Sequence, residues 1–309
     1  MLLAIVIPYY KIAFFAETLH SLSIQTDKRF KVYIGNDASP EDPSDLLEQY
    51  RGAFDFEYYK FDNNLGGTSL VQQWNRCIKL TNREEWISII GDDDTVSPNY
   101  VLEFYNYFQN FSSKCDVIRF AVQKITADGS FFGKLNTNPE LENSKIILFD
   151  TKRSSLSEYV FNRNKLQETH FKNFKLAWWS DVLVVLEVSN FGNIFSINKA
   201  QANVRISELS ISGSSAFLLD KQLATFSFYK YLIVEKRKEF SDRELLELER
   251  RIANCYFDNK KNVLLFIKIC HYFIWSSFLS INLSSNQNIR SENISSSRSN
   301  IKNSEPTIK

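Results

Sequence analysis

The chain has 309 residues, 44% of them hydrophobic and 24% charged, with 37 basic against 36 acidic side chains for a formal net charge of +1. That length buries a sizeable core and suits one large domain or two smaller ones, and the balanced charge argues against the broad basic face of a nucleic-acid binder. The four cysteines (Cys77, Cys115, Cys255, Cys270) lack any CxxC spacing and the three histidines are dispersed, which argues against a disulfide scaffold or a zinc site and fits a reducing cytoplasm.

Leu2–Ile7 reads as a first strand buried on both faces. It is too short for a secretory leader, lacks a basic flank and runs straight into Pro8. Ile12–Gln25 has helical spacing, Phe30–Ile34 reads as a second strand ending in Gly35-Asn36-Asp37, and Asp42–Gln49 as a short helix. A third strand is expected over Asp55–Phe61, then a helix capped by Thr68 with an apolar stripe through Leu70, Val71, Trp74 and Ile78. A strand over Trp86–Ile90, a helix from Pro98 to about Phe111 and a strand over Asp116–Val122 complete the first part. This alternation predicts parallel β-α-β units in an open sheet with covered faces. Beyond residue 126 the pattern loosens. A hairpin turn at Ala127-Asp128-Gly129, a loop over Lys134–Glu142 and helical signals at Leu156–Phe161 and Trp179–Val188 are expected. Two short strands at Asn193–Ile197 and Ala202–Arg205 follow, then a largely helical stretch over 215–281.

The polar exits of the strands stand out: Pro8-Tyr9 after the first, Asp37 after the second, Asn63-Asn64 after the third, Asp92-Asp93-Asp94 after the fourth. In open α/β sheets ligands bind outside the carboxyl ends of the strands, so these residues outline a nucleotide-sized cleft. Three adjacent carboxylates at the end of a buried strand repel one another and raise each other's pKa. A hard divalent cation carrying a phosphorylated ligand would relieve them, since Mg²⁺ and Mn²⁺ take oxygen donors and commonly share them with substrate phosphates.

Taken in order, Ile5-Val6-Ile7-Pro8-Tyr9-Tyr10, Gly35-Asn36-Asp37-Ala38-Ser39, Asn63-Asn64-Leu65-Gly66-Gly67 and Gly91-Asp92-Asp93-Asp94 resemble glycosyltransferase family 2, most strongly over residues 2–125 and more weakly over 175–212. The resemblance implies a GT-A fold and an inverting transfer from a nucleotide-diphosphate sugar, dependent on Mn²⁺ or Mg²⁺. It implies that Pro8 and Tyr9 line the base and ribose pocket with the Asn64–Gly66 turn beside them, and that Asp37 hydrogen-bonds the base. Asp92 would face the ribose and join Asp94 as a metal ligand, with Asp93 assisting either neighbour. The family's catalytic acid commonly stands in a Glu-Asp pair at the start of a later helix. Here Trp178-Trp179-Ser180-Asp181 occupies that place, with Ser180 where Glu is usual, so Asp181 is the expected base. Trp178 and Trp179 suit a sugar ring and core packing equally. Arg205, in Asn203-Val204-Arg205-Ile206-Ser207, matches a family segment from which it would pair with the diphosphate, although a strand-capping role fits as well. Gln73-Trp74 before Asn75 departs from the family's usual Ala-Arg and puts donor specificity there in question.

The expected organisation is therefore a catalytic domain over 1–212, with nucleotide-sugar binding in 1–125 and the acceptor side in 126–212. A helical region over 213–283 and a disordered tail over 284–309 follow. Within it, 261–281 is strongly apolar but interrupted by Lys268 and His271, which fits either a helix lying in the membrane interface or one packed on the catalytic domain. The partners expected are a nucleotide-sugar donor, a saccharide or lipid-linked saccharide acceptor and the inner face of the plasma membrane. Two other readings compete. A sugar-phosphate nucleotidyltransferase would carry a glycine-rich basic loop after the first strand, where this chain has Pro8-Tyr9-Tyr10-Lys11. A catalytically silent sugar-binding protein would have no need of Asp92, Asp94 and Asp181 together.

Overall fold

The computed structural model describes residues 2–110, 115–149, 155–207, 217–257 and 262–274. Contacts divide the chain into one unit ending at Phe228 and another beginning at Tyr229.

In the first unit, Leu3–Tyr9 (β1) and Phe30–Asn36 (β2) are nearly unbroken apolar runs buried on both faces, as central parallel strands require. Between them Phe15–Ser23 (α1) turns Phe15, Leu19 and Leu22 into the core. Ser44–Gln49 (α2) leads to Asp55–Lys60 (β3), a largely exposed edge strand bearing Asp55, Glu57 and Lys60. Such charges discourage edge-to-edge pairing. Leu70–Ile78 (α3) starts one residue later than expected: Ser69, not Thr68, is its N-cap, its hydroxyl accepting from the Gln72 N–H at 3.3 Å. Trp86–Ile89 (β4), Thr95–Val96 (β5), Tyr100–Asn110 (α4) and Val117–Ile125 (β6) follow. Then come Phe131–Asn136 (β7), Leu141–Asn143 (β8), Ile146–Phe149 (α5), Tyr159–Asn162 (β9), Arg163–Thr169 (α6), Ser180–Val188 (α7) and Asn193–Arg205 (β10).

Among the described residues one sheet runs β3-β2-β1-β4-β9-β6-β10-β5, with β7 added on β6 and β8 on β10. The pairs β3–β2, β2–β1 and β1–β4 are parallel, as the alternation predicts. Beyond β4 the sheet is mixed, because β9 enters antiparallel between β4 and β6. Three expectations are corrected here. The Lys134–Glu142 loop contains strand residues of β7 and β8. Leu156–Phe161 is a 3-10 turn at Leu156–Glu158 followed by β9. The two strands expected at 193–205 form one, with an irregularity between Ile197 and Gln201. The core under α1 and α4 joins Leu3, Ile5, Ile7, Phe30, Tyr100, Phe104 and Phe120.

Leu218–Glu235 (α8) bridges the boundary between the units, and Asp242–Phe257 (α9) and residues 263–274 complete the helical region. Leu265, Ile269 and Tyr272 are buried, at helical spacing, while Val263, Leu264, Ile267 and Ile274 are more than half exposed. No helix among the described residues is long and apolar enough to cross a membrane. The expected boundary at 212, the residues of 261–281 outside 262–274, and the tail over 284–309 lie outside the described residues.

Candidate active site

At the carboxyl edge of β1, β2 and β4 the first unit has a cleft of about 760 Å³. It is lined by Pro8, Tyr9, Asp37, Asn64, Gly66, Asp92, Asp93, Asp94 and Asp181, which brings together every expected site residue except Arg205. Gln73 and Trp74, the two positions that depart from the family pattern, line it as well.

Asp37 emerges from β2 and its carboxylate holds the turn after β3. Leu65 and Gly66 donate their N–H groups to its two oxygens at 2.8 and 2.7 Å, and Arg76 of α3 pairs with it. Asn64 closes the same turn by accepting from the Gly67 N–H at 2.6 Å. Gly66 is required by close approach, since a Cβ there would lie 2.5 Å from Asp37 Oδ2. Gly66→Ala is therefore expected to push the buried carboxylate off its turn. Overpacking of this kind costs about 1–3 kcal/mol, read as a lowered melting temperature together with a raised donor KM. Unchanged values of both would contradict this account of the turn.

The acidic turn after β4 is fixed residue by residue. Asp92 Oδ2 accepts the N–H groups of Tyr10 and Lys11, both at 2.7 Å, and so clamps the loop after β1. Asp94 is buried; Ser157 donates to its Oδ2 at 2.5 Å and the Arg205 N–H to its Oδ1 at 2.9 Å. A Cβ at Gly91 would lie 2.8 Å from Asp93 Oδ1, so the turn is packed tightly around its own carboxylates. Burial pushes the Asp92 carboxyl up to about 6, with the Asp93 charge adding to the rise. Burial raises Asp94 as well, reinforced by Asp93. Asp92 thus holds its proton more tightly folded than unfolded. Its contribution to stability is complete below its ordinary value of 3.8 and is lost as pH rises through about 6. A divalent cation on these carboxylates would lift that penalty. The gain in melting temperature on adding Mn²⁺ should then be larger at about pH 7.5 than at about pH 5. Equal gains in thermal melts at the two pH values would contradict it.

Asp181 lies in the first turn of α7 and its Oδ1 accepts the Val182 N–H at 2.9 Å. The approach to it is strained: Leu176, Ala177 and Trp179 all have φ between 53° and 74°, which non-glycine residues rarely adopt. Trp178 lines the cleft and Trp179 does not. Trp179 stacks on Phe228 at 4.9 Å and donates its indole N–H to Thr225 at 2.8 Å, so of the two tryptophans it is the packing one. Behind Asp181, burial pushes Glu158 up to about 7, and the Asp181 charge acts in the same direction.

Arg205 departs from the expectation. Its side chain is fully buried, with Nε donating to the Asp93 carbonyl at 2.9 Å and Nη2 to Glu17 at 2.5 Å, so it lies beneath the acidic turn and does not line the cleft. Sequence reasoning also missed Ser157, Lys11 and Lys124. Ser157 belongs to a serine-rich stretch with no local signal for its long-range bond to Asp94. Lys11, next to the Pro-Tyr-Tyr motif, could have been found there.

Five carboxylates line the cleft, those of Asp37, Asp92, Asp93, Asp94 and Asp181, against the ammonium groups of Lys11 and Lys124. Among the described residues no cluster of three side chains could hold a metal alone. Two crowded carboxylates whose charge burial disfavours nevertheless suit a hard cation whose remaining ligands come from phosphate oxygens.

A half built on parallel strands, an acidic turn at its fourth strand and a mixed second half make up a GT-A fold, the scaffold of glycosyltransferases. The sequence profile described as Glycosyl transferase family 2 matches residues 4–167, more than half of the chain, and the protein belongs to that family. Two solved structures of S. aureus TarS residues 1–349 are similar. The complex with UDP-GlcNAc aligns at a TM-score of 0.64 and 15% identity, covering 88% of this chain and 79% of that one. The UDP complex aligns at 0.59 and 15%, covering 84% and 72%. No curated protein sequence matches the chain.

Proposed function

We propose that this glycosyltransferase moves a sugar, with inversion, from a nucleoside-diphosphate sugar to a saccharide acceptor, and that the cleft above Asp92–Asp94 is where it does so. The observation that carries the reading is the convergence of the acidic turn and Asp181 in one cleft large enough for a nucleotide-sugar. The UDP and UDP-GlcNAc of the two TarS structures support uridine diphosphate as the first nucleotide to test.

In this mechanism the turn held by Asp37 shapes the base end of the cleft, with Pro8 and Tyr9 beside it. Asp92 keeps the loop after β1 closed against the ribose. Asp94 and Asp92 would hold a Mg²⁺ or Mn²⁺ ion, whose positive charge would stabilise a diphosphate leaving group. Lys11 and Lys124, which line the cleft, add positive charge to it. Trp178 offers its ring to a sugar face, and Asp181 takes the proton from the acceptor hydroxyl on the side opposite the leaving group. A panel of UDP-, GDP- and dTDP-sugars, assayed for nucleoside diphosphate release with Mn²⁺ and with chelator, tests the reading. Metal-dependent release from one nucleotide class is expected, and no release from any of them would overturn it.

The acceptor we propose is lipid-linked, in the synthesis of a surface polysaccharide. The apolar side chains exposed over residues 263–274, together with Lys268, support contact with anionic lipid. Truncation after Asn259 is expected to release the protein from anionic vesicles in a sedimentation assay while donor hydrolysis survives. A truncated protein that still sediments would remove this helix from the account.

A further inference from the structure

A fully buried arginine needs a reason, because the guanidinium carries five donors in a rigid fork and a charge that burial penalises. Arg205 has its partners on three separate elements. Its Nε donates to the Asp93 carbonyl at 2.9 Å, in the acidic turn. Its Nη1 donates to the carbonyls of Thr126 and Ala127 at 2.9 and 3.1 Å, at the hairpin joining β6 to β7. Its Nη2 donates to Glu17 Oε2 at 2.5 Å, on α1, and its Cζ lies 4.3 Å from the centre of the Phe14 ring. The backbone N–H of the same residue donates to Asp94 Oδ1.

The hairpin is built to meet this pair. Thr126 and Ser130 close it through an N–H bond of 2.9 Å, and Gly129 takes φ +81° with its missing Cβ only 3.2 Å from Glu17 Oε2. From there the chain runs into β7, whose Phe132 and Asn136 line the cleft. One guanidinium therefore ties the metal-binding turn proposed above to the hairpin that leads into cleft-lining β7. Glu17, with its side chain 48% exposed, supplies the counter-charge from outside.

We propose that Arg205 and Glu17 form a positioning unit that locks the acidic turn to the β6–β7 hairpin, and that Arg205 does not contact the donor diphosphate. The inference rests on the reading of Asp94 and Asp92 as metal ligands. With its charge spent on Glu17 and its donors on backbone carbonyls, Arg205 acts on the metal only through the placement of Asp93 and Asp94. Groups that orient metal ligands without touching the metal typically change metal affinity by about 10–100-fold when altered.

UDP binding to the full chain, measured by calorimetry in chelator and again in Mn²⁺, tests the proposal with Glu17→Gln and Arg205→Lys. Mn²⁺ affinity is followed separately by electron paramagnetic resonance. Both variants are expected to bind UDP in chelator within about twofold of the unaltered protein. Both should lose roughly 10-fold or more of the Mn²⁺-dependent increment, and Mn²⁺ affinity should fall in parallel. Glu17→Gln keeps an acceptor in place and sits at the surface, so it remains informative if Arg205→Lys does not fold, and Glu17→Asp should recover part of the loss. If Arg205 contacted the diphosphate, Arg205→Lys would weaken UDP binding equally in chelator, and Glu17→Gln, by freeing the guanidinium, would strengthen it. Either result overturns the proposal, as does an unchanged Mn²⁺ increment in both variants. Absence of any Mn²⁺-dependent UDP binding in the unaltered protein would instead count against the metal site on which the inference rests.

Discussion

Asp94→Ala is expected to lower metal-dependent donor turnover by at least about 10³-fold while the protein stays folded. The electrostatic part follows from the cleft, where, among the described residues that line it, five aspartates outnumber two lysines and a departing diphosphate needs added positive charge. The folding part is a balance of two effects. Removing the carboxylate leaves the Ser157 hydroxyl and the Arg205 N–H without their acceptor, which costs about 1–3 kcal/mol for each buried group left unsatisfied. Against that, one of three crowded acids is gone, and with it a carboxylate whose charge is disfavoured by burial first and by Asp93 and Asp92 in addition. Asp94→Asn keeps the shape and one acceptor oxygen, and should be equally inactive but more stable than Asp94→Ala. Initial rates of nucleoside diphosphate release, measured beside thermal melts, separate the two effects. Near-normal turnover in either variant would remove Asp94 from the metal site.

Asp181→Asn is expected to behave differently. Loss of a general base commonly costs about 10²–10⁴-fold in rate, whereas donor binding depends on the other end of the cleft. The amide oxygen can still accept the Val182 N–H that the carboxylate accepts at 2.9 Å, so the start of α7 and the strained segment before it should survive. The expected pattern is a fall in kcat with the affinity for UDP unchanged. If UDP binding weakened and the rate per bound donor held, the proton would have to go to another carboxylate.

The parallel half of the sheet was legible because its signals are local. β1 and β2 are continuous apolar runs that only a doubly covered parallel strand tolerates, and each ends in a polar residue that the topology carries to the same edge. The mixed half was not, and particular residues show why. β7 is exposed along most of its length and contains Gly133 at φ +72°, so no alternation marks it as a strand. β9 has only four residues and derives its identity from insertion between β4 and β6, a contact no local pattern encodes. Arg205 was read as pairing with the diphosphate or capping a strand, because arginine suits either. Its actual partners, Glu17 and Asp93, are 188 and 112 residues away along the chain. Trp178 and Trp179 were indistinguishable in sequence, yet Trp178 lines the cleft while Trp179, at φ 74°, stacks on Phe228.

The central claim is that one base and one metal-held diphosphate, in one cleft, carry out a single in-line displacement. The measurement that meets it most directly is rapid proton NMR of the sugar released or transferred from an α-linked nucleotide donor, recorded before mutarotation. The account predicts that the first product carries the β configuration and forms only when Mn²⁺ or Mg²⁺ is present. A product of retained α configuration, or one formed equally well in chelator, would contradict it.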